Sequence, residues 1–137
     1  MRIGADYYPE HWEKERWKTD AEMMVKANIK VIRIGEFAWS LYEPEEGKYE
    51  FDWMEEALDF FGKYGIKVVM CTPSATPPKW MIDKYPDILQ NDIHGNPKLF
   101  GTRKHYCFNS ETYREKTKKL NTLIAKRYAK HPAIEAW

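Results

Sequence analysis

A chain of 137 residues is long enough to bury a substantial core as one compact domain. Hydrophobic residues make up 43% and charged residues 31%, the usual balance of a soluble globular protein. The 22 basic and 21 acidic residues leave a net charge of +1, so the clustered basic excess of a nucleic-acid binder is missing, and Lys116, Lys118 and Lys119 read as a solvated helix face. No stretch approaches the roughly 20 apolar residues of a bilayer-crossing helix. The start of the chain also lacks the apolar core of a signal peptide, so a cytoplasmic location is the expectation. Cytosolic thiols stay reduced, which leaves Cys71 and Cys107 unpaired. The charged set is dominated by Lys and Glu and the one Gln is Gln90, which leans towards a thermophilic source.

Residues 3–9 read as a first strand ending in Asp6-Tyr7-Tyr8-Pro9. The spacing of Trp17, Ala21, Met24 and Val25 predicts a helix over about residues 12–27 with one apolar face, and Asn28 suits a left-handed stop to it. Residues 30–36 give a second strand. Val31, Ile32 and Ile34 fit its pleated, buried surface; Arg33 and Glu36 do not, because a buried charge is costly unless it is paired or meets a polar ligand. Residues 37–51 are too polar and too rich in Glu, Pro and Gly for regular structure, and loops of this length in compact domains tend to be functional. Asp52 reads as the N-cap of the next helix, with Glu55 as its capping-box partner. Met54, Ala57, Leu58 and Phe61 line the buried face of that helix and Gly65 ends it.

Residues 66–73 make a third strand. Thr76 and Pro77 read as N-cap and first-turn residue of a short helix reaching about Lys84, and Pro86 stops it. Residues 86–110 form a second long excursion containing His94, Arg103, His105 and Cys107. Ser110 caps a last helix with Tyr113, Thr117, Leu120, Ile124 and Tyr128 on its inner face, and residues 133–137 begin a fourth strand.

Strand–helix alternation, with tight connections at one end of the strands and long loops at the other, is the pattern of a parallel α/β fold. A whole (β/α)8 barrel takes about 250 residues and carries its active site on the loops that follow the strands. The predicted architecture is therefore the N-terminal half of a (β/α)8 barrel. Residues 1–137 supply strands 1–3 and the start of strand 4, and the remainder of the barrel is absent. Such a half leaves an open strand edge and apolar helix faces, which predicts self-association.

The two carboxylates near strand ends are Asp6 and Glu36. Hydrolysis of a glycosidic bond uses two carboxyl groups, about 5 Å apart for retention and further apart for inversion. The plainer alternative is that Asp6 braces a neighbouring loop and Glu36 pairs with Arg33. His94, His105 and Cys107 invite a metal reading, but His-x-Cys is a loose spacing and a tetrahedral site needs four ligands, so a surface loop with incidental histidines stands beside it. Cys71 reads as a small buried residue. No GxGxxG, P-loop or Gly-x-Ser-x-Gly motif supports nucleotide binding or serine hydrolysis. Aromatic residues reach 15%, many of them in loops, where rings suit flat ligands such as sugars and serve equally as packing anchors.

Taken together, Asp6-Tyr7-Tyr8-Pro9-Glu10-His11-Trp12, Arg33-Ile34-Gly35-Glu36-Phe37-Ala38-Trp39-Ser40 and Glu43-Pro44-Glu45-Glu46-Gly47 resemble the family 42 glycoside hydrolases, the β-galactosidases of the large retaining barrel clan. So do Thr72-Pro73-Ser74-Ala75-Thr76-Pro77-Pro78-Lys79-Trp80, Thr102-Arg103-Lys104-His105-Tyr106-Cys107 and His131-Pro132-Ala133-Ile134-Glu135-Ala136-Trp137, in the family's order. The resemblance implies a fragment of an enzyme that removes terminal non-reducing β-D-galactose with retention. It assigns Arg103 to sugar contact, places Arg33 and Glu36 in the galactose pocket, and makes Cys107 one ligand of a structural zinc in the full-length protein, with three further cysteines that this sequence does not contain. It also implies a homotrimer. In the family the acid/base glutamate follows an asparagine a few residues past the fourth-strand tryptophan, here Trp137, and the nucleophile lies near strand seven, so no catalytic residue is expected in this chain. A non-catalytic galactoside-binding or assembly module is the alternative, and Glu36 as a catalytic group a third.

Overall fold

The computed structural model describes residues 2–101 and 105–137. Four strands, β1 (Ile3–Asp6), β2 (Ile29–Ile34), β3 (Lys67–Met70) and β4 (Ile134–Ala136), lie side by side in chain order, and every neighbouring pair is parallel. Parallel neighbours need a crossover. Helices α1 (Lys14–Lys26), α2 (Trp39–Tyr42), α3 (Asp52–Lys63), α4 (Lys79–Lys84) and α5 (Glu111–Tyr128) occupy those crossovers. The chain divides into two compact units. One comprises Met1–Gly35, Phe51–Cys71 and Arg127–Trp137 and holds the whole sheet; the other comprises Glu36–Glu50 and Thr72–Lys126.

In the first unit, β-strand geometry turns successive side chains to opposite faces. Ile32, Ile34, Val68 and Met70 are at most 1% exposed, while Val31, Arg33, Val69 and Cys71 on the other face are only half-buried. The covered face lies beneath α1, which contributes Trp17, Ala21 and Met24, and α3, which contributes Met54, Ala57, Leu58 and Phe61. Met54, Leu58 and Phe61 each stabilise the fold by about 1.5–3 kcal/mol when fully buried, and the alanines by less. Tyr7, Trp17, Phe60 and Phe61 form an aromatic cluster with centroids 5.2–6.1 Å apart, and the Trp17 indole N–H donates to Pro9 O over 3.0 Å.

Several expected details change. α1 starts at Lys14, because a 3-10 turn over Pro9–His11 comes first. Val25 is exposed and Asp20 is buried, so the apolar stripe is centred further towards Asp20 than hydrophobicity alone suggests. Asp20 is tolerated there because the Tyr7 hydroxyl and the Arg16 Nε–H both donate to its carboxylate, each over 2.9 Å. Asn28 does take the left-handed conformation, at φ 58°, and Gly65 follows at φ 70° beyond α3. Asp52 is not an N-cap: Phe51 holds that position without a side-chain cap, and Asp52 in the first turn accepts a 2.8 Å bond from Arg127 Nη2.

In the second unit the segment expected to be irregular contains α2, and its Trp39 and Tyr42 are fully buried. The buried Glu43 holds this turn. Its carboxylate accepts from the Trp39 indole N–H at 3.0 Å and from Gly47 N–H at 2.9 Å, with Gly47 at φ 79°. Thr76 does not cap α4. Pro78 takes that position, a 3-10 turn covers Pro73–Ala75, and the Thr76 hydroxyl donates to Phe37 O over 3.3 Å. Ser110 Oγ accepts from Tyr113 N–H at 3.3 Å, as expected of a cap. Lys116 and Lys119 are not merely solvated: Lys116 pairs with Glu46, and Lys119 lies over the Tyr49 ring.

Candidate functional site

The C-terminal edge of the sheet is where a parallel α/β protein gathers its chemistry. Within the first unit, the register sets Asp6 of β1 directly opposite Arg33 of β2, and Arg33 opposite Val69 of β3. Cys71 follows two residues beyond Val69 on the same face. Arg33 Nε–H donates to Asp6 Oδ1 at 2.9 Å, Nη2 to Asp6 Oδ2 at 3.4 Å and Nη1 to Cys71 Sγ at 3.3 Å. These bonds from Arg33 hold the Asp6 carboxyl below the usual aspartate range. A hollow of about 340 Å³ lies on this face, lined by Gly4, Ala5, Asp6, Val31 and Arg33.

The sequence reading offered Asp6 either as half of a carboxylate pair or as a brace. Asp6 is the partner of Arg33, committed to a guanidinium by charge-assisted bonds. The arginine is thereby presented with its plane fixed by two flanking strands. Cys71 is half-buried and accepts from Arg33, so it is more than a small core filler.

Within the second unit, Glu36 is the second residue past β2 and is half-buried. A cleft of about 510 Å³ is lined by Phe37, Ser40, Thr76, Pro77, Phe100 and His105, among other residues. The Phe100 and His105 rings meet edge to face at 5.8 Å. His105 is buried, and its carbonyl accepts from Gln90 N–H at 2.7 Å. Cys107 sits one residue beyond the bridge between Leu89 and Tyr106, its own N–H donating to Ile88 O at 2.7 Å. Tyr106 stacks on Tyr113 at 4.3 Å, and the Tyr113 hydroxyl donates to Ser74 O at 2.8 Å. His94 lies in a turn in which the Asp92 carboxylate accepts from the His94 and Asn96 N–H groups. Arg103 lies outside the described residues.

The metal reading does not gain a site. Both cysteines are free thiols, and among the described residues no group of three or more His, Cys, Asp or Glu side chains converges. Cys107 supplies one donor where tetrahedral zinc needs four, so these residues do not hold the ion by themselves. Sequence reasoning missed Asp20 and Glu43, the two buried carboxylates that anchor the loop after β1 and the loop after β2. Their signal was indirect: each lies within four residues of a donor it uses, Arg16 or Trp39.

Four parallel strands in chain order, joined by helical crossovers, form the α/β architecture that opens a (β/α)8 barrel. The chain belongs to glycoside hydrolase family 42, whose family model, described as beta-galactosidase, matches residues 6–137. It is 47% identical over 137 residues to β-galactosidase BgaH of Haloferax lucentense, covering all of this chain and 21% of that protein. It is 52% identical over 132 residues to a β-galactosidase of Thermus thermophilus, covering 96% and 20%. A solved β-galactosidase from Halorubrum lacusprofundi superposes on the whole chain at a TM-score of 0.95 with 44% identity, over 20% of its own length. The chain thus spans about a fifth of the length of the relatives it matches.

Proposed function

We propose that this chain is the opening portion of a retaining β-galactosidase and that it contributes substrate binding rather than the catalytic carboxylates. The observation that supports this is Arg33, a guanidinium set at the C-terminal edge of β2 and braced from both neighbouring strands. Arginine's rigid fork of donors suits a pair of vicinal sugar hydroxyls. In this reading Arg33 and Arg103 donate to galactose hydroxyls and Glu36 accepts from them. Binding energy from these contacts orients the sugar so that a nucleophilic carboxylate can attack the anomeric carbon while an acid protonates the departing oxygen. Both of those carboxylates would come from later in the barrel, and the 137-residue chain alone would hydrolyse nothing.

Cys107 belongs to the same reading as one thiolate ligand of a zinc completed by later cysteines, with no part in the chemistry. A cytoplasmic location and a homotrimeric assembly are likewise part of the proposal. No helix among the described residues is long and apolar enough to cross a membrane.

The test has two arms. Sequencing the source DNA past the codon for Trp137 should reveal an in-frame Asn-Glu pair a few codons on. Assays with p-nitrophenyl β-D-galactoside should then show turnover by the full-length protein and none by the 137-residue chain. Turnover by the chain, abolished in Glu36→Gln, would overturn the division of labour and make Glu36 catalytic. A stop codon after Trp137 with measurable galactoside binding would favour a non-catalytic sugar-binding module.

A further inference from the structure

We propose that Asp6 and Cys71 are positioning residues for Arg33, fixing the plane of its guanidinium before a galactoside arrives. The inference rests on the reading that Arg33 lines the sugar pocket. Three different nitrogens of Arg33 are engaged: Nε and Nη2 by the two carboxylate oxygens of Asp6, at 2.9 and 3.4 Å, and Nη1 by Cys71 Sγ at 3.3 Å. Contacts at three nitrogens from two sides restrain the guanidinium from swinging about its long stem. Asp6 closes β1 and Cys71 is the first residue past β3, its N–H still donating to Ile34 O of β2 at 2.9 Å, so both holders are tied to the sheet that carries Arg33.

A purely structural role is a poor account of the arrangement. The Asp6 and Arg33 side chains are 55% and 37% exposed, and ion pairs that face water contribute little to folding. The thiol is a weak acceptor that adds still less stability. What the three bonds do supply is direction. An arginine ordered in advance loses less freedom when it meets a pair of hydroxyls, so the benefit appears in galactoside affinity.

The test is calorimetric titration of the full-length protein with isopropyl β-D-thiogalactoside, which binds without being turned over. The variants are R33M, D6A, D6N and C71V, together with D6A and C71V in the R33M background. R33M is expected to weaken binding about thirtyfold, D6A about tenfold and C71V about threefold, with D6N between parent and D6A. In the R33M background D6A and C71V should change nothing further, since both act through the arginine. Thermal midpoints should stay within about 3 °C of the parent throughout. Should D6A fold poorly, D6N retains the side chain's shape and reads the same effect.

Parent-like binding by both Asp6 variants, with R33M weakened, would overturn the positioning role and leave the sugar pocket standing. Equal loss on D6A in both backgrounds would also overturn it, because Asp6 would then act independently of Arg33. Parent-like binding by R33M would instead remove the pocket reading, and this inference with it.

Discussion

Replacing Tyr7 with Phe isolates the bond that ties the loop after β1 to α1. The Tyr7 hydroxyl donates to Asp20 Oδ2 at 2.9 Å while Arg16 Nε–H donates to Oδ1 at 2.9 Å, and Tyr7 and Asp20 are both 8% exposed. Burial, reinforced by the bond to Asp20, pushes the phenol well above its ordinary pKa, so it remains a donor across the neutral range. The substitution keeps the ring and its 5.2 Å edge contact with Phe61, so the loss is one hydrogen bond to a carboxylate, about 1.5–3 kcal/mol. The cost falls towards the upper part of that range because Asp20 is left with one partner in a site nearly closed to water. With an unfolding entropy of about 2.1 cal/mol/K per residue, the thermal midpoint of a chain this long falls by roughly 5–10 °C. Urea unfolding followed by tryptophan fluorescence on the parent, Tyr7→Phe, Asp20→Asn and the double variant measures both the loss and the coupling. We expect an unchanged m-value and a coupling energy above about 1 kcal/mol. A Tyr7→Phe loss below about 0.5 kcal/mol, or strict additivity in the cycle, would refute the reasoning.

Other parts of the fold give independent checks. A Cβ at Gly4 would lie 3.1 Å from the backbone oxygen of Val31, a tight contact that β1 and β2 relieve only by parting a few tenths of an ångström; Gly4→Ala should cost about 1 kcal/mol in urea unfolding, and no loss would mean that β1 gives way readily. Asn28 sits at φ 58°, so Asn28→Val should destabilise by about 1–2 kcal/mol while Asn28→Gly stays within a few tenths, a difference readable from thermal midpoints. Bonds from Lys116, Lys84 and the Tyr85 hydroxyl pull the Glu46 carboxyl down to about 2. A folded pKa below the ordinary value of 4.5 stabilises the fold above about pH 4.5, and that contribution is lost as pH falls towards 2. Glu46→Gln should therefore flatten the dependence of the urea midpoint on pH across that window, and parallel curves for parent and variant would contradict the pairing.

The parts of the fold that were legible in the sequence are those set by local chemistry. Runs such as Val31-Ile32 and Val68-Val69 favour strands by their branched side chains, and the left-handed Asn28 and the cap at Ser110 depend on neighbouring backbone. The misplaced details depended on distant partners. Asp52 looked like a cap because four-residue patterns cannot show that Arg127, 75 residues away, claims its carboxylate. Thr76 looked like a cap until Phe37 O took its hydroxyl, and α2 was hidden because it is a single four-residue turn followed by the Glu-, Pro- and Gly-rich residues that dominate the segment's composition. At the site, Arg33 and Glu36 stood out as charges at the end of an apolar strand. Their proposed role as sugar contacts rests on resemblance, because no spacing rule connects an arginine to a galactose hydroxyl. Cys71 could not have been linked to Arg33 from sequence, since the pairing rests on the register of β2 with β3.

The two faces of the sheet explain how one short strand carries both stability and chemistry. On the face covered by α1 and α3, Ile32, Ile34, Val68 and Met70 are all apolar and almost wholly buried, so a charge there would be costly. On the other face the residues are half-exposed, and chemistry changes with height: Gly4 stands opposite Val31 on the lower rung, then Asp6 opposite Arg33 on the upper one. Polar residues on this face of β1 and β2 thus begin at the edge where the long loops start, which is also where a barrel admits its substrate. The Asp6–Arg33 pair is exposed enough that its folding contribution is small, about 0–1 kcal/mol. An aliphatic residue at position 33 would satisfy the sheet as well as Val31 and Val69 do. On the proposed reading, in which Arg33 lines the sugar pocket, Arg33→Met should leave folding nearly intact while weakening galactoside binding about thirtyfold.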